Sequence, residues 1–303
     1  MTGNSSPRAS SDDNLNLIEH LARWITWPRF VFSLIMMFFL TSILFPFYWM
    51  ASSSFKTYAE IGAREPVYIP GALRWEAYKE LFDYWKFGAN ILNSMKVAIP
   101  TSIIAVILST LGAYAVARLR FRGKEVLLNG ILLVYLFPGI LLIIPLFAMV
   151  AQIGARLGFE VQDNLPVLVV TYLAQTLPVA LYMLANYFRT IPKEIEQAGL
   201  IDGCSRLSVI WRITLPLAIP ALVSVSIYTF MIAWNEFLYA LVFLNRRELF
   251  TMPIKISTIH NDPDPRPHVV MAASTIMTLP VVILFLAMER FLTEGLTAGG
   301  VKG

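Results

Sequence analysis

Residues 195–217 read IEQAGLIDGCSRLSVIWRITLPL, a polar stretch that contains a glycine and is followed by an amphipathic stretch and Leu-Pro. Just before it, Pro192 is typical of the first turn of a helix, and Gly203 is typical of the left-handed residue that ends one. Ser205 can cap a second helix by accepting a backbone hydrogen bond. That second helix would carry an apolar stripe: Leu207, Ile210, Trp211 and Ile213. The pattern predicts two short helices joined at Gly203, and we refer to residues 189–213 as the two-helix loop.

Long apolar blocks flank this loop on both sides. The chain has 303 residues, of which 57% are hydrophobic and 15% charged, whereas a soluble domain is about 45–50% apolar and about 25% charged. Six apolar blocks are long enough to cross the bilayer core as helices: residues 30–50, 91–116, 126–150, 165–187, 217–244 and 269–288. Such continuous blocks do not fit barrel strands of about 10 alternating residues. We therefore predict an all-α integral membrane protein with six transmembrane helices.

The distribution of positive charge gives a weak indication of orientation. Six crossings place both termini on the same side of the membrane. If that side is the cytoplasm, 13 of the 24 Lys and Arg residues lie inside and 11 lie outside. The short segment ARLRFRGK, residues 117–124, is dense in positive charge and favours the inside. Charge therefore favours cytoplasmic termini without settling the question.

The sequence divides into a membrane domain and two tails. Residues 1–28 are expected to form a partly disordered cytoplasmic tail with no cleavable signal peptide. Within this tail, Leu17–Trp24 is expected to lie as an amphipathic segment along the inner membrane face. Residues 29–290 would form the six-helix transmembrane domain that includes the two-helix loop. Residues 291–303 would form a cytoplasmic C-terminal tail.

The two-helix loop admits two physical interpretations. Two short helices that expose Trp and Ile at the inner face suit the docking of another protein. The same amphipathic surface would also suit a hairpin that lies on lipid. Reasoning from the residues alone leaves the two interpretations about even.

The spacing within the loop resembles the EAA loop of permease subunits of bacterial ABC importers. That motif is Glu-Ala-Ala, three residues, Gly, nine residues, Ile, any residue and Leu-Pro. Here nine residues follow Gly203 before the sequence Ile213-Thr214-Leu215-Pro216, so the spacing is kept. The triplet itself reads Gln197-Ala198-Gly199, so only Ala198 matches the motif. The departures at positions 197 and 199 leave open how this chain contacts its partner there.

Four further stretches resemble one branch of that family, the second permease of maltose-type carbohydrate importers. Together with IPKEIEQAGLIDG, they follow the order of the family over roughly residues 30–303: SSFKTYAEI, NSMKVAIPTSIIAVILSTLGAYAVARLRFRGK, WNEFLYAL and GLTAGGVKG. The resemblance implies the type I ABC importer permease fold in the bacterial inner membrane. It also implies that the two-helix loop is cytoplasmic and docks in a groove of an ATPase subunit.

The resemblance further implies a set of partners and a mechanism. The chain would pair with a second permease, two ATP-binding subunits that use ATP and Mg, and an external solute-binding protein. The cargo would be a sugar or oligosaccharide, with a polyol or a sugar phosphate as alternatives. The motif assigns ATPase coupling to Glu194, Glu196, Gln197, Ala198, Gly203, Leu207, Ile210 and Trp211. No cofactor and no catalytic residue is expected in this chain.

Two other classes of function are less consistent with the sequence. The chain lacks a G-x-x-x-x-G-K-[ST] phosphate loop, so ATP hydrolysis must come from a partner. An ion-coupled secondary transporter usually places several ionisable groups inside its helices, and Glu236 is the only clear candidate. A membrane enzyme would need a site such as a metal cluster, and the nearest is the segment from His260 to His268. Its prolines keep the possible ligands apart, so a solvated outer loop is the better interpretation and no metal is expected.

The fifth apolar block contains the best candidates for substrate contact. Tyr228, Asn235 and Tyr239 fall at i, i+7 and i+11, which places them on one face of a continuous helix. Aromatic rings and amides suit sugar binding, although the same residue types also join helices to each other. Trp234 and Glu236 flank this face, and Glu236 is expected to pair with another helix. Weaker candidates are Tyr135, Tyr172, Gln175 and Asn186.

Overall fold

The structure is a computed structural model that describes the backbone of residues 27–300. Side chains are described for residues 29–131, 133 and 136–291. The amphipathic segment predicted at Leu17–Trp24 lies outside the described residues. Within the described part, the chain forms helices and no strands, as the sequence predicts.

The described chain contains fourteen α-helices, one π-helical turn at Ile210–Thr214 and one 3₁₀ turn at Arg247–Leu249. In order, they are α1 (Trp27–Ser53), α2 (Tyr58–Ile61), α3 (Glu76–Asp83), α4 (Phe87–Arg118), α5 (Lys124–Leu136), α6 (Gly139–Leu157), α7 (Leu165–Thr190), α8 (Lys193–Ile201), α9 (Arg206–Val209), α10 (Leu215–Leu217), α11 (Ile219–Asn235), α12 (Leu238–Phe243), α13 (Met252–His260) and α14 (Pro267–Gly300).

The described part of the structure has five helices that are long and apolar enough to cross a membrane, or six if one bent pair of segments is counted as a single crossing. Helices α1, α4, α6, α7 and α14 are each long and apolar enough to cross a membrane. The bent pair consists of α11 and the segment Arg206–Leu217, which meet at a bend of 79°, and α11 lies within the predicted fifth block. The last helix continues past residue 290 to Gly300, so the predicted C-terminal tail begins as an extension of α14.

Two of the predicted continuous helices are broken in the structure. The block predicted at 126–150 divides into α5 and α6 at Phe137-Pro138, where proline cannot donate a backbone hydrogen bond. The block predicted at 217–244 divides into α11 and α12, and the prediction of one continuous helix is wrong there. Glu236 adopts an extended backbone with φ −67° and ψ 128°, so the helix cannot continue through it.

Helix α4 lies at the centre of the bundle, where it packs along α7 and α11. Small residues make this contact close: an added Cβ at Gly112 would lie 2.9 Å from Cδ1 of Leu181 on α7. One buried cluster surrounds Trp234 and Phe243, and a second surrounds Leu184 and Phe188 near the two-helix loop. Each candidate site described below lies beside one of these two clusters.

Candidate functional site: the two-helix loop and the cavity

The two-helix loop turns at Gly203, as predicted. Gly203 has φ +85°, a left-handed conformation that glycine adopts without strain. Its backbone N–H donates to the Leu200 carbonyl at 3.2 Å, and the Cys204 N–H donates to the Gly199 carbonyl at 3.0 Å. These two bonds satisfy the last carbonyls of α8 in the arrangement known as a Schellman motif. The glycine therefore ends α8 and directs the chain towards α9.

The second helix of the loop begins where the sequence predicts but is shorter than expected. Ser205 Oγ accepts a hydrogen bond from the Ser208 N–H at 3.2 Å, which confirms the predicted cap. Helix α9 then passes into the π-helical turn and through α10 to the bend before α11. π-helical turns are rare and occur often at functional sites. Here the turn lies between α9 of the loop and α10, which leads into the membrane helix α11.

Three apolar side chains of the loop are strongly exposed. Ile201, Leu207 and Trp211 are 86%, 65% and 69% exposed, and together they form what we call the exposed apolar face. Ile210 was predicted to share this face, but it is 9% exposed and packs in the cluster around Leu184. That prediction is wrong because Ile210 packs against the ends of α4 and α7, a tertiary contact that helical periodicity does not reveal. Ile201 was missed, although its position beside a helix-ending glycine could have indicated exposure.

The polar residues of α8 divide into an exposed set and one buried carboxylate. Glu194, Gln197 and Ala198 are exposed, as expected for residues that contact a partner. Glu196 is buried instead, and its Oε1 accepts a hydrogen bond from Arg118 Nε at 2.8 Å. Its carboxylate is thus turned into the protein and is not presented on the surface of the loop.

Gly199, which replaces the second alanine of the triplet, lies where α8 meets the π-helical turn. An added Cβ at this position would lie 2.5 Å from Cδ1 of Ile213 and 3.5 Å from Cγ2 of Val209. Glycine therefore leaves room for the isoleucine side chain against α8. Ile213 is itself the isoleucine that the motif prescribes, so the glycine at position 199 lets this side chain pack directly against α8.

A cavity of about 730 Å³ lies between the start of α6 and helices α7, α11 and α12. Its volume is within the range of about 300–1,000 Å³ that is common for small-molecule sites. Most of its lining is apolar, and its polar side chains come from four residues: Gln175, Tyr228, Glu236 and Tyr239. An apolar pocket with a few converging polar groups is the usual form of a ligand site.

The cavity brings together two of the three predicted substrate residues. Tyr228 and Tyr239 both line it, although they belong to different helices. Asn235 does not line it: its Nδ2 donates to the Met231 carbonyl at 2.8 Å and its side chain is exposed. The prediction that all three share one helix face is wrong because α11 ends at Asn235.

The remaining candidates have different positions. Gln175 lines the cavity, whereas Asn186 is exposed and outside the lining. Tyr172 is 1% exposed and belongs to the cluster around Trp234. The Trp234 indole donates to the Met277 carbonyl at 2.9 Å, which joins α11 to α14. The side chain of Tyr135 lies outside the described residues.

Glu236 shapes the wall of the cavity by starting a helix. Its Oε1 accepts from the Tyr239 N–H at 2.9 Å, and its Oε2 accepts from the Ala240 N–H at 3.1 Å. A carboxylate at this position is stabilised by the first amides of α12 and by the helix dipole. The Tyr239 hydroxyl in turn donates to the Gly139 carbonyl at 3.3 Å, which joins α12 to the start of α6.

The segment from His260 to His268, which was considered for metal binding, does not assemble a ligand set. His260 is exposed, and Nε2 of His268 lies 3.8 Å from Oε2 of Glu80. Among the described residues, no three His, Cys, Asp or Glu side chains are grouped to hold a metal ion. Glu80 also pairs with Arg266, and these contacts tie α3 to the start of α14.

Comparisons with known proteins agree with this architecture. Residues 105–297 match the family described as the binding-protein-dependent transport system inner membrane component. The chain is 43% identical over 267 residues to the inner membrane ABC transporter permease protein YcjP of Escherichia coli strain K12, covering 88% of this chain and 93% of that protein. It is 33% identical to the trehalose transport system permease protein SugB of Mycobacterium tuberculosis, covering 86% and 93%. It is 34% identical to the trehalose/maltose transport system permease protein MalG of Thermococcus litoralis, covering 86% and 92%.

The fold also matches a solved structure. A chain of a bacterial ABC transporter involved in the import of the acidic polysaccharide alginate superposes with a TM-score of 0.72, covering 94% of this chain and 99% of that one. The two sequences are 20% identical, so this match concerns the fold alone.

Proposed function

Because this chain belongs to the family of inner membrane components of binding-protein-dependent transport systems, we propose that it carries a sugar or oligosaccharide into the cell, driven by ATP hydrolysis in partner subunits. It is a multi-pass membrane permease and not itself an enzyme. Relatives named for trehalose and for trehalose/maltose transport support a carbohydrate cargo. The structural observation that carries the proposal is the cavity, in which two tyrosines and one glutamine face the same space.

The chemistry of the cavity favours an uncharged sugar. Tyrosine rings can stack on sugar faces, and the Gln175 amide can donate and accept hydrogen bonds. None of the described lining residues is Lys or Arg, and the one charged group is the Glu236 carboxylate. A sugar phosphate would meet a carboxylate without a compensating cation, so it suits this cavity less well than a neutral sugar or a polyol.

Reconstitution tests this proposal directly. The permease would be purified with its second permease and ATPase subunits and placed in liposomes that contain ATP and Mg. The ligand that co-purifies with the cognate binding protein would be identified by mass spectrometry and then supplied in labelled form. We expect uptake that requires both ATP and the binding protein. Uptake that follows a proton or sodium gradient without ATP would refute the proposal.

Substitutions in the cavity should reduce transport without disturbing assembly. Tyr228→Ala and Gln175→Leu each remove a polar group of the lining, and loss of one hydrogen bond should lower uptake about two- to tenfold. Asn235→Ala should have the smaller effect, since this side chain bonds within its own helix and lies outside the lining. Initial uptake rates at matched membrane levels would measure the difference. A larger loss for Asn235→Ala than for Tyr228→Ala would place the substrate outside the cavity.

The proposed partners are a second permease, two ATP-binding subunits and an external binding protein. The two-helix loop supports the ATPase contact, because Glu194, Gln197 and Ala198 are exposed beside the exposed apolar face. Helix α1 supports a contact in the membrane: its apolar window buries none of its residues within this chain. That surface suits either lipid or the second permease. ATP and Mg would bind to the partner subunits.

Gln197 provides a test of charge at the ATPase contact. The motif has Glu at this position, and a charged acceptor makes a hydrogen bond about twice as strong as a neutral one. Gln197→Glu should therefore keep or tighten the retention of the ATPase subunit, while Gln197→Lys should weaken it. Co-purification of the ATPase subunit would be measured for both variants. If Glu disrupts retention as strongly as Lys does, the opposing surface is not basic.

The proposed orientation places both termini and the two-helix loop in the cytoplasm. In a Cys204→Ser background, an impermeant thiol reagent added outside intact cells should label Trp75→Cys and His260→Cys. It should not label Glu125→Cys or Leu200→Cys until the membrane is opened. All four native side chains are exposed in this chain, and labelling of the permease expressed without its ATPase subunit, before and after the membrane is opened, separates sidedness from burial. Labelling of Leu200→Cys in intact cells would reverse the orientation.

A further inference from the structure

A buried ion pair connects the two-helix loop to the end of the longest internal crossing. Glu196 lies on α8, and Arg118 is the last residue of α4. Oε1 of Glu196 lies 2.8 Å from Nε of Arg118, and the two side chains are 8% and 6% exposed. The pair is thus shielded from solvent, in contrast to the surface pair of Glu125 and Arg189, which are 73% and 41% exposed and lie 3.8 Å apart.

The same two side chains bond to three other residues. Thr214 in the π-helical turn donates to Oε1 of Glu196 at 3.2 Å, and the Tyr114 hydroxyl on α4 donates to Oε2 at 3.4 Å. Nη2 of Arg118 donates to the Ile191 carbonyl at 2.9 Å, in the connection between α7 and α8. One carboxylate therefore joins α8 to α4 and to the π-helical turn, and one guanidinium joins α4 to the connection.

This network is the polar attachment of α8 to the membrane helices. The main packing contacts of α8 itself are with α9 and the π-helical turn. A buried ion pair is weak evidence of a contribution to stability, because desolvation of both charges can offset their attraction. Such a pair does fix the relative orientation of the two segments that carry it, because a planar guanidinium and a carboxylate bond in a defined geometry and an apolar contact does not.

We propose that Glu196 and Arg118 are positioning residues that transmit movement of α8 to the cytoplasmic end of α4 and, through Thr214, to the bent connection before α11. The proposal rests on the proposed function, in which ATPase subunits move the two-helix loop. Helices α4 and α11 pack on each other, and α11 carries Tyr228 of the cavity wall. A shift of α8 that pulls on both helices would therefore reach the cavity.

The test separates transmission from folding by removing both charges together. Glu196→Leu with Arg118→Met replaces the pair by apolar groups of similar volume, an exchange that is often neutral for stability. The matched control is Glu125→Leu with Arg189→Met, which removes the surface pair at the neighbouring helix ends. Each is combined with Cys204→Ser and with Ile232→Cys, a reporter in the cavity lining. The complete complex in liposomes is compared without nucleotide and after trapping with ATP and vanadate.

In the parent and in the control, trapping should change the rate of reaction of the reporter thiol by about tenfold, within the usual range of coupling between sites. In the double apolar variant, the ATPase subunits should remain bound and hydrolyse ATP, while the rate changes less than about twofold. Transport should fall in parallel. A full response of the thiol in this variant would overturn the proposal, because the pair would then be structural only.

A second variant covers the case in which the apolar pair prevents assembly. Glu196→Gln keeps the volume and can still accept from Thr214, but it removes the charge that orients Arg118. It should assemble and show a reduced thiol response; an undiminished response would likewise overturn the proposal. If trapping with nucleotide does not change the thiol reaction rate even in the parent complex, the proposed function fails. A failure of the Glu196–Arg118 proposal alone gives a different result, because the parent then still responds.

Discussion

Replacing Trp211 with alanine is expected to lower the retention of the ATPase subunit about thirtyfold, with a matching loss of transport. Trp211 is 69% exposed, and it is the one aromatic residue of the exposed apolar face and lies in the π-helical turn. Truncation of a central aromatic anchor in an interface commonly costs about 2 kcal/mol or more, which corresponds to roughly a thirtyfold loss of affinity. The membrane level of the variant should stay normal, because insertion depends on the apolar crossings.

Val126→Ala is the control for this substitution. Val126 is 76% exposed on α5 and lies outside the two-helix loop. Its truncation should leave ATPase retention unchanged, as measured by co-purification at equal permease levels. If Trp211→Ala retains the ATPase fully but loosens the loop from liposomes of anionic lipid, the loop lies on lipid, and the docking interpretation is wrong.

Replacing Gly203 with valine is expected to weaken the contact between the two-helix loop and the ATPase subunit, because it strains the backbone. At φ +85°, a β-branched residue is strained, at a cost of about 1–3 kcal/mol. The added Cβ itself would meet nothing within 4 Å, so the effect comes from conformation and not from a clash. The loop should relieve the strain by displacing α9 and the exposed apolar face. We expect normal membrane levels, about tenfold lower ATPase retention, and little transport.

Gly203→Asn distinguishes backbone strain from loss of a surface contact. Asparagine adopts the left-handed conformation more readily than other residues with a side chain, so this variant should keep most of its ATPase retention and transport. The two variants would be compared in the same co-purification assay. Equal loss with Asn and with Val would mean that the ATPase requires a bare backbone at this position.

Much of the local structure could be predicted from the sequence. Long apolar blocks must be helical in lipid because their backbone groups have no water to bond, and this predicts the helical membrane domain. The turn at Gly203 and the cap at Ser205 follow from the preferences of single residues, and both are present. The spacing from Gly203 to Leu215-Pro216 resembles that of the EAA loop and singled out this segment as a candidate site.

The breaks in the helices could not be predicted in the same way. Apolar residues continue on both sides of Pro138 and of Asn235-Glu236, so a hydropathy window predicts a single block through each position. One helix ends at Glu236, whose carboxylate binds the first amides of the next; hydropathy does not register this competition between side-chain and backbone hydrogen bonds. As a result, the sequence predicted one helix face with Tyr228, Asn235 and Tyr239, and the structure has no such face.

The role of individual side chains was decided by tertiary structure. Glu196 and Gln197 are neighbours of similar polarity, yet only Glu196 faces Arg118, which lies 78 residues earlier in the chain. The cavity likewise needs Gln175, Tyr228 and Tyr239 from three helices. Propensity and periodicity act over a few residues, and they therefore determined the crossings and the turn of the loop. Burial and pairing depend on which distant segments meet, and only the packed structure could determine them.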